Sequence, residues 1–325
     1  MNLKAIAELA GVSVSSVSKA FSGSREVSQK TKERIFEIAR ENGCFDRYNK
    51  NKFDKKVVAV IVPEVNSDHY YHILLDLDRE ITKRGGIMLS SVSNFSEKKT
   101  AELFRYYAEY CKADGVIIVG SAGKIQNPFL LPAVALGIDQ KIKNVNSIYT
   151  NIQSAMDEAI VKLRNLGHVK IGFIGENLTK TKLEHFHSAM AKAGAVINPD
   201  YIKVSNKRFE EAGAKLAEEM LATDSLPTAV IAAYDYIAIG FMKALQCRGV
   251  RVPEDVSVIG MDDIRIAKYL EPSLSSIHYN NSRACALATD MIFKKMKNQY
   301  SLLGEDNIEI EAKLILRESV GPSKK

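Results

Sequence analysis

The sequence predicts a small all-α helix-turn-helix head joined to a large α/β body of two doubly wound parallel-sheet subdomains. Three observations predict it. Apolar residues follow helical spacing over the first 45 positions, and from Val57 onward short apolar runs alternate with helical stretches. The chain has 325 residues, 46% hydrophobic and 26% charged, which suits two or three domains with large cores and excludes a fibrous or disordered chain.

Asn2 can cap a first helix with apolar positions Leu3, Ile6, Ala7 and Ala10, and Gly11 ends it in the left-handed conformation of a tight turn. Ser13 caps a second helix carrying Val14, Val17, Ala20 and Phe21 along one side. Two short helices around Gly-Val-Ser fit a helix-turn-helix. Ser28 then caps a third helix with inner face Ile35, Ile38 and Ala39. Residues 1–56 hold 12 Lys and Arg against 7 acids, whereas the rest is nearly neutral with 33 basic and 32 acidic residues. A basic head on a neutral body points to a polyanion for the head, although charge alone does not choose nucleic acid over an anionic membrane or plain solvation.

The head resembles the DNA-binding domain of the lactose/galactose-repressor family of bacterial regulators through LKAIAELAGVSVSSVSK at 3–19 and VSQKTKERI at 27–35. The resemblance implies that Val14, Ser15 and Lys19 take the base-reading positions of the second helix. Lys19 stands where the family usually has Arg, so it can donate to guanine without a planar fork. Ser13, Ser16, Ser18, Ser28 and Thr31 occupy positions the family uses for phosphates, and Ser22 belongs with this DNA-facing set. Helix capping and plain surface exposure are the alternative readings of these serines, and a solvated side chain that of Lys19. The segment GCFDRYNKNKFDKK at 43–56 departs from the family: proline is absent, Asp46 stands in its place, and the stretch to the first strand is several residues short. Phe53 falls where the family has a leucine that wedges into the minor groove, or else packs against the body. Asn and Lys content reads as a flexible linker. The expected head is therefore 1–45 and the hinge 46–56.

In the body, runs at 57–62, 115–119, 170–174, 229–233 and 256–259 read as buried parallel strands, and 70–84, 154–166 and 237–248 as helices between them. Repeated βα units place ligands at the carboxyl ends of strands. NLGHVKIGFIG at 165–175, VPEDVSVIGMDD at 252–263 and LILRES at 314–319 are similar to the periplasmic-binding-protein-like core of the same regulators. That resemblance implies a ligand-binding and dimerisation domain at 57–325. Subdomain one is expected at about 57–166 and 279–303, and subdomain two at about 167–278 and 304–325. It also implies the pocket. Asp262 fits the carboxylate that accepts sugar hydroxyls, with helix capping as its alternative role; Lys182 replaces a usual Arg and Tyr234 a usual Asn, with Asp235 intact beside it. His185 replaces a usual Gly. Asp68, His69 and Tyr70 follow the first strand where the family has a loop over the ligand, and Asn151 matches a further polar position beside Thr150.

Enzyme readings find little support. Gly120 to Gly123 and Gly172 to Gly175 follow strands without completing GxGxxG, and the sequence has no GxxxxGK[ST] and no GxSxG elbow. His69 with His72, and His185 with His187, lack a matching second ligand pair, so no metal site, catalytic residue or cofactor is expected. The four cysteines are more than 30 residues apart, and the absence of a signal peptide or apolar span predicts a cytoplasmic protein with free thiols. These readings converge on a ligand-responsive, sequence-specific transcription regulator, most simply a repressor. As a homodimer it would bind a palindromic double-stranded operator, with a sugar or sugar derivative as effector. The alternative is a sugar-binding protein without a DNA role.

Overall fold

The computed structural model describes all residues except 49–53, 121–124, 126, 128, 129, 139–141, 224, 225, 299–306 and 325, with the side chain of residue 46 also left aside. Met1–Lys56 and Val57–Lys325 are two compact units.

In the first unit, α1 (Leu3–Ala10) starts where the Asn2 side chain accepts the Ala5 amide, and it ends at Gly11, whose φ of +67° suits a residue without Cβ. The Ser13 hydroxyl accepts the Ser16 amide to start α2 (Val14–Phe21), and Ser28 does the same for Thr31 at α3 (Gln29–Glu41). The three helices bury Ile6, Ala10, Val17, Phe21, Ile35 and Ala39 against each other, with Ile38 half-buried at the margin. The expected hinge begins too early. A short helix, α4 (Phe45–Tyr48), packs on this core: Phe45 meets Phe36 edge-on at 5.3 Å, Tyr48 lies 5.8 Å from Phe21, and the Tyr48 hydroxyl donates to the Met1 carbonyl. Two aromatic residues in a polar stretch find partners only in three dimensions. Phe53 lies outside the described residues.

The second unit runs β1 (Val57–Val62), α5 (Asp68–Lys83), β2 (Ile87–Val92), α6 (Glu97–Arg105), β3 (Gly115–Val119), β4 (Ala133–Leu136) and β5 (Asn146–Asn151). It continues through α7 (Gln153–Asn165), β6 (Ile171–Glu176), α8 (Lys180–Lys192), β7 (Ile202–Ser205), α9 (Phe209–Leu221), β8 (Ala229–Ala232) and α10 (Asp235–Cys247). The last elements are β9 (Ser257–Met261), β10 (Ser275–His278), α11 (Asn281–Met296), β11 (Asn307–Glu311) and β12 (Lys313–Ile315). Two six-stranded sheets result, ordered β11-β5-β4-β3-β1-β2 and β12-β10-β9-β8-β6-β7. Among the described residues every pairing of these strands is parallel except that of β12 with β10. The expected α/β body of two parallel-sheet subdomains is what the chain forms.

The chain changes sheet elsewhere than expected. It leaves the first sheet directly after Asn151, because α7 turns Ala155, Met156, Ala159, Ile160 and Leu163 into the core of the second sheet. Residues 152–166 therefore belong to subdomain two. At the other end β11 pairs with β5 in the first sheet, and only at Ala312 does the chain pass to β12. The boundary near 303 moves to about 311. The remaining crossing follows His278, after which α11 packs beside α5 on the first sheet through Ala284, Ala288 and Ile292.

One contact in subdomain two positions the site. A Cβ on Gly213 would collide with the Ile237 carbonyl and one on Gly240 with the Glu210 carbonyl, so α9 and α10 cross with their backbones touching. That crossing fixes the helix starts that carry Arg208, Phe209 and Tyr234.

Candidate functional site

The carboxyl ends of strands from both sheets converge on a cleft of about 250 Å³, where open α/β sheets place their ligands. Glu64 follows β1, Gly120 follows β3 and Thr150 lies near the end of β5 on one wall; Glu176 ends β6, Tyr234 follows β8 and Asp262 follows β9 on the other. Tyr279 stands at the crossing after β10. Helix starts and loops add His69, Tyr70, Phe95, Lys182, Arg208, Phe209 and Tyr236. Phe95, Phe209 and Asp262 have φ of +58°, +56° and +95°, values that cost non-glycine residues of order 1–3 kcal/mol each. Three strained residues on one cleft mark it as a site that the surrounding fold over-determines.

The charges of the cleft are paired internally. Arg208 joins the two subdomains: its Nη1 and Nη2 donate to Glu64 at 2.6 and 3.2 Å, and its Nε donates to Glu176 at 3.0 Å. The Tyr234 hydroxyl lies 3.2 Å from the same Glu176 oxygen and accepts the Phe209 amide at 3.0 Å, and burial pushes its pKa up to about 12. Lys182 donates to the Ala233 carbonyl at 2.7 Å and lies 3.6 Å from Asp262, between the rings of Tyr234 and Tyr279. Burial opposes its charge, but Asp262 together with Tyr279 and Tyr70 outweighs that penalty, and Lys182 titrates above the ordinary lysine range. His69 stands 3.6 Å from Asp262 and edge-on to Tyr70, and burial lowers its pKa so that it is neutral near pH 7. The result is a polar lattice inside an aromatic wall.

Of the residues expected to meet a ligand, the structure brings His69, Tyr70, Lys182, Tyr234 and Asp262 together on the cleft. Three others are placed elsewhere. Asp68 lies at the outer mouth, where it accepts the Arg265 amide from the other subdomain at 3.4 Å and faces His72. Asn151 is committed to Glu309 at 2.7 Å and to the Gln153 amide at 2.9 Å, so the neighbouring Thr150 reaches the cleft instead. Asp235 is fully buried behind the wall, accepting the Ile264 amide and the Ser276 hydroxyl at 2.7 Å each. It holds the turn that presents Asp262. Glu64, Glu176, Arg208, Phe209, Phe95 and Tyr279 were not expected; for Glu64, Glu176 and Tyr279 the strand-end position is a signal that could have found them.

Asp235 gives a pH test. Burial, reinforced by Asp262 and Asp263, raises its carboxyl well above the ordinary aspartate range. An acid whose folded pKa is raised contributes most below the unfolded value of about 4 and loses that contribution as pH rises through the folded value. Asp235→Asn, neutral throughout, is therefore expected to become more stable relative to the parent as pH rises from about 4. Urea midpoints across pH check this, and a constant difference would contradict it.

In the first unit, α2 leaves Val14 45% exposed, with Ser15 and Ser18 exposed along the same helix and Ser22 exposed just past its end. Ser13 and Ser28 act as caps and also touch the Ser16 and Thr31 hydroxyls at 2.9 and 2.8 Å. The Ser22 hydroxyl donates to the Lys19 carbonyl. Lys19 is ion-paired with Glu26 at 2.5 Å. Among the described residues no helix is long and apolar enough to cross a membrane, and no group of three His, Cys, Asp or Glu is arranged to hold a metal.

Comparison with known proteins gives two family matches: the lacI family of bacterial regulatory proteins over residues 2–43, and a periplasmic binding protein-like domain over 160–320. The Escherichia coli K12 transcriptional regulator AscG is 30% identical over 287 residues, covering 84% of this chain and 85% of that protein. The ribose operon repressor of Haemophilus influenzae is 28% identical across 98% of each chain. A lacI-family regulator from Enterococcus faecium, solved with bound ribose, superposes with a TM-score of 0.70 at 21% identity, over 83% of this chain and 100% of that one.

Proposed function

The chain belongs to the lacI family of bacterial regulatory proteins, and from that premise we propose that it is a cytoplasmic homodimeric repressor that reads a palindromic operator and responds to a neutral polyhydroxylated ligand of the sugar class. It is a ligand-responsive DNA-binding transcription regulator rather than a binding protein without a DNA role, since residues 2–43 match the family's DNA-binding region. The cleft carries the choice of ligand. Its carboxylates Glu64, Glu176 and Asp262 already face Arg208 and Lys182, so an anionic ligand would meet repulsion, whereas hydroxyls can exchange hydrogen bonds and ring faces can cover C–H surface. The ribose operon repressor and the ribose-bound structure carry the same ligand class in their names.

On the DNA side α2 enters the major groove, with Val14, Ser15 and Lys19 at base edges and Ser13, Ser16, Ser18, Ser22, Ser28 and Thr31 along phosphates. One such helix covers a half-site, and a dimer supplies two. The exposed apolar face of α5, with Tyr71 49% and Leu75 41% exposed, and the edge strand β2 beside it with Leu89 form the proposed subunit interface. Ligand in the cleft shifts the relation of the two subdomains and thereby the operator affinity.

Operator affinity of the full-length protein is expected to fall log-linearly with salt, because each phosphate neutralised releases counterions. Val57–Lys325 alone should remain a dimer by sedimentation, and Leu75→Asp should make it monomeric. A salt-independent operator complex would exclude the electrostatic role of the head, and a monomeric parent body would exclude the interface.

A further inference from the structure

We propose that Glu26 is a specificity-determining residue of the DNA-binding head, acting with Lys19 as a composite reader. This rests on the groove-reading role of α2 given above. Glu26 sits in the turn between α2 and α3, and its carboxylate holds the Lys19 ammonium at 2.5 Å. The turn is anchored at both ends: the Ser24 amide donates to the Lys19 carbonyl, the Glu26 amide donates to the Ser24 hydroxyl, and the adjacent Val27 is buried in the head core. The pair itself is exposed, with 45% and 69% of the two side chains in solvent, so it adds little to folding. Its consequence lies in what it presents to DNA.

A lysine alone is a mobile point charge that any phosphate satisfies, with no fixed fork to select a base. Tethering its ammonium to a carboxylate on an anchored turn restricts where the remaining two N–H donors point and withdraws the charge from non-specific phosphate contact. The carboxylate repels phosphates in its own right. It can also accept from the exocyclic amine of cytosine, the donor that a G·C pair presents beside the guanine acceptors lysine favours. Glu26 therefore lowers affinity for arbitrary sequence while sharpening preference at the base pair that Lys19 reads.

The test is selection of operators from a randomised duplex library by the full-length parent, Lys19→Ala, Glu26→Gln and Glu26→Ala, with salt titrations on the selected operator and on random duplex. Both Glu26 variants should bind random duplex more tightly, with a salt slope steeper by about one phosphate. Their ratio of specific to non-specific affinity should drop roughly tenfold, with preference lost at the same base pair that Lys19→Ala relaxes. The proposal is overturned if the Glu26 variants change all sequences by one common factor, or relax a different position. If Lys19→Ala itself leaves every base preference intact, the groove-reading role of α2 fails, and this proposal with it.

Discussion

Arg208→Ala is expected to destabilise the body by about 3 kcal/mol, at the lower end for a broken buried pair because the guanidinium keeps 32% of its side-chain surface in water. The change removes the cation between Glu64 and Glu176, which are only 8% and 3% exposed, and leaves two carboxylates facing one desolvated space. Relief then comes by protonation. With two buried like charges and no cation between them, the deficit should be larger near neutral pH than in acid, where carboxylates are neutralised. Arg208→Lys should recover only part of the loss, since an ammonium cannot make the two-pronged contact to Glu64 while also reaching Glu176. Urea unfolding of Val57–Lys325 at two pH values measures both effects. A deficit below about 1 kcal/mol would show that the bridge contributes no more than a surface ion pair.

Asp262→Asn is expected to lower sugar affinity roughly ten- to a hundredfold while leaving ligand-free operator affinity nearly unchanged. An ionised carboxylate accepts hydroxyl protons on both oxygens; an amide accepts on one and leaves a ligand hydroxyl unpaired. Lys182 keeps its bond to the Ala233 carbonyl when the charge beside it is removed, so one of its contacts on the cleft wall is retained. Calorimetry and operator binding separate the two effects. Unchanged sugar affinity would place the ligand elsewhere, and lost operator binding would make Asp262 a structural residue.

The sequence reveals most where local chemistry decides structure. Asn2, Ser13 and Ser28 cap the three head helices because each offers a short acceptor at the right place, and the apolar runs become strands because parallel sheets covered on both faces require them. Crossings between subdomains depend on which sheet an amphipathic helix finds. The apolar stripe of α7 reads the same whichever sheet it covers, so its move to the second could not be read from spacing. For β11 the alternation in NIEIE marks an exposed edge strand without naming its partner.

The site divides along the same line. Asp262 and Tyr234 end strands at the crevice, where position alone recommends them. Asp235 has the same composition cue but lies one residue further into α10, which turns its carboxylate behind the wall. Arg208 and Phe209 reach the cleft only because α9 and α10 touch at Gly213 and Gly240, a closeness no local pattern announces.

The most direct test of a sugar-responsive regulator is titration of a labelled, library-selected operator with full-length parent and Asp262→Asn protein. Each would be run with and without the neutral sugar that gives the largest thermal shift among pentoses, hexoses and disaccharides. The sugar is expected to change operator affinity of the parent and to leave that of Asp262→Asn nearly unaltered, with equal affinities in its absence. An identical response in both proteins, or a response only to phosphorylated sugars, would contradict it.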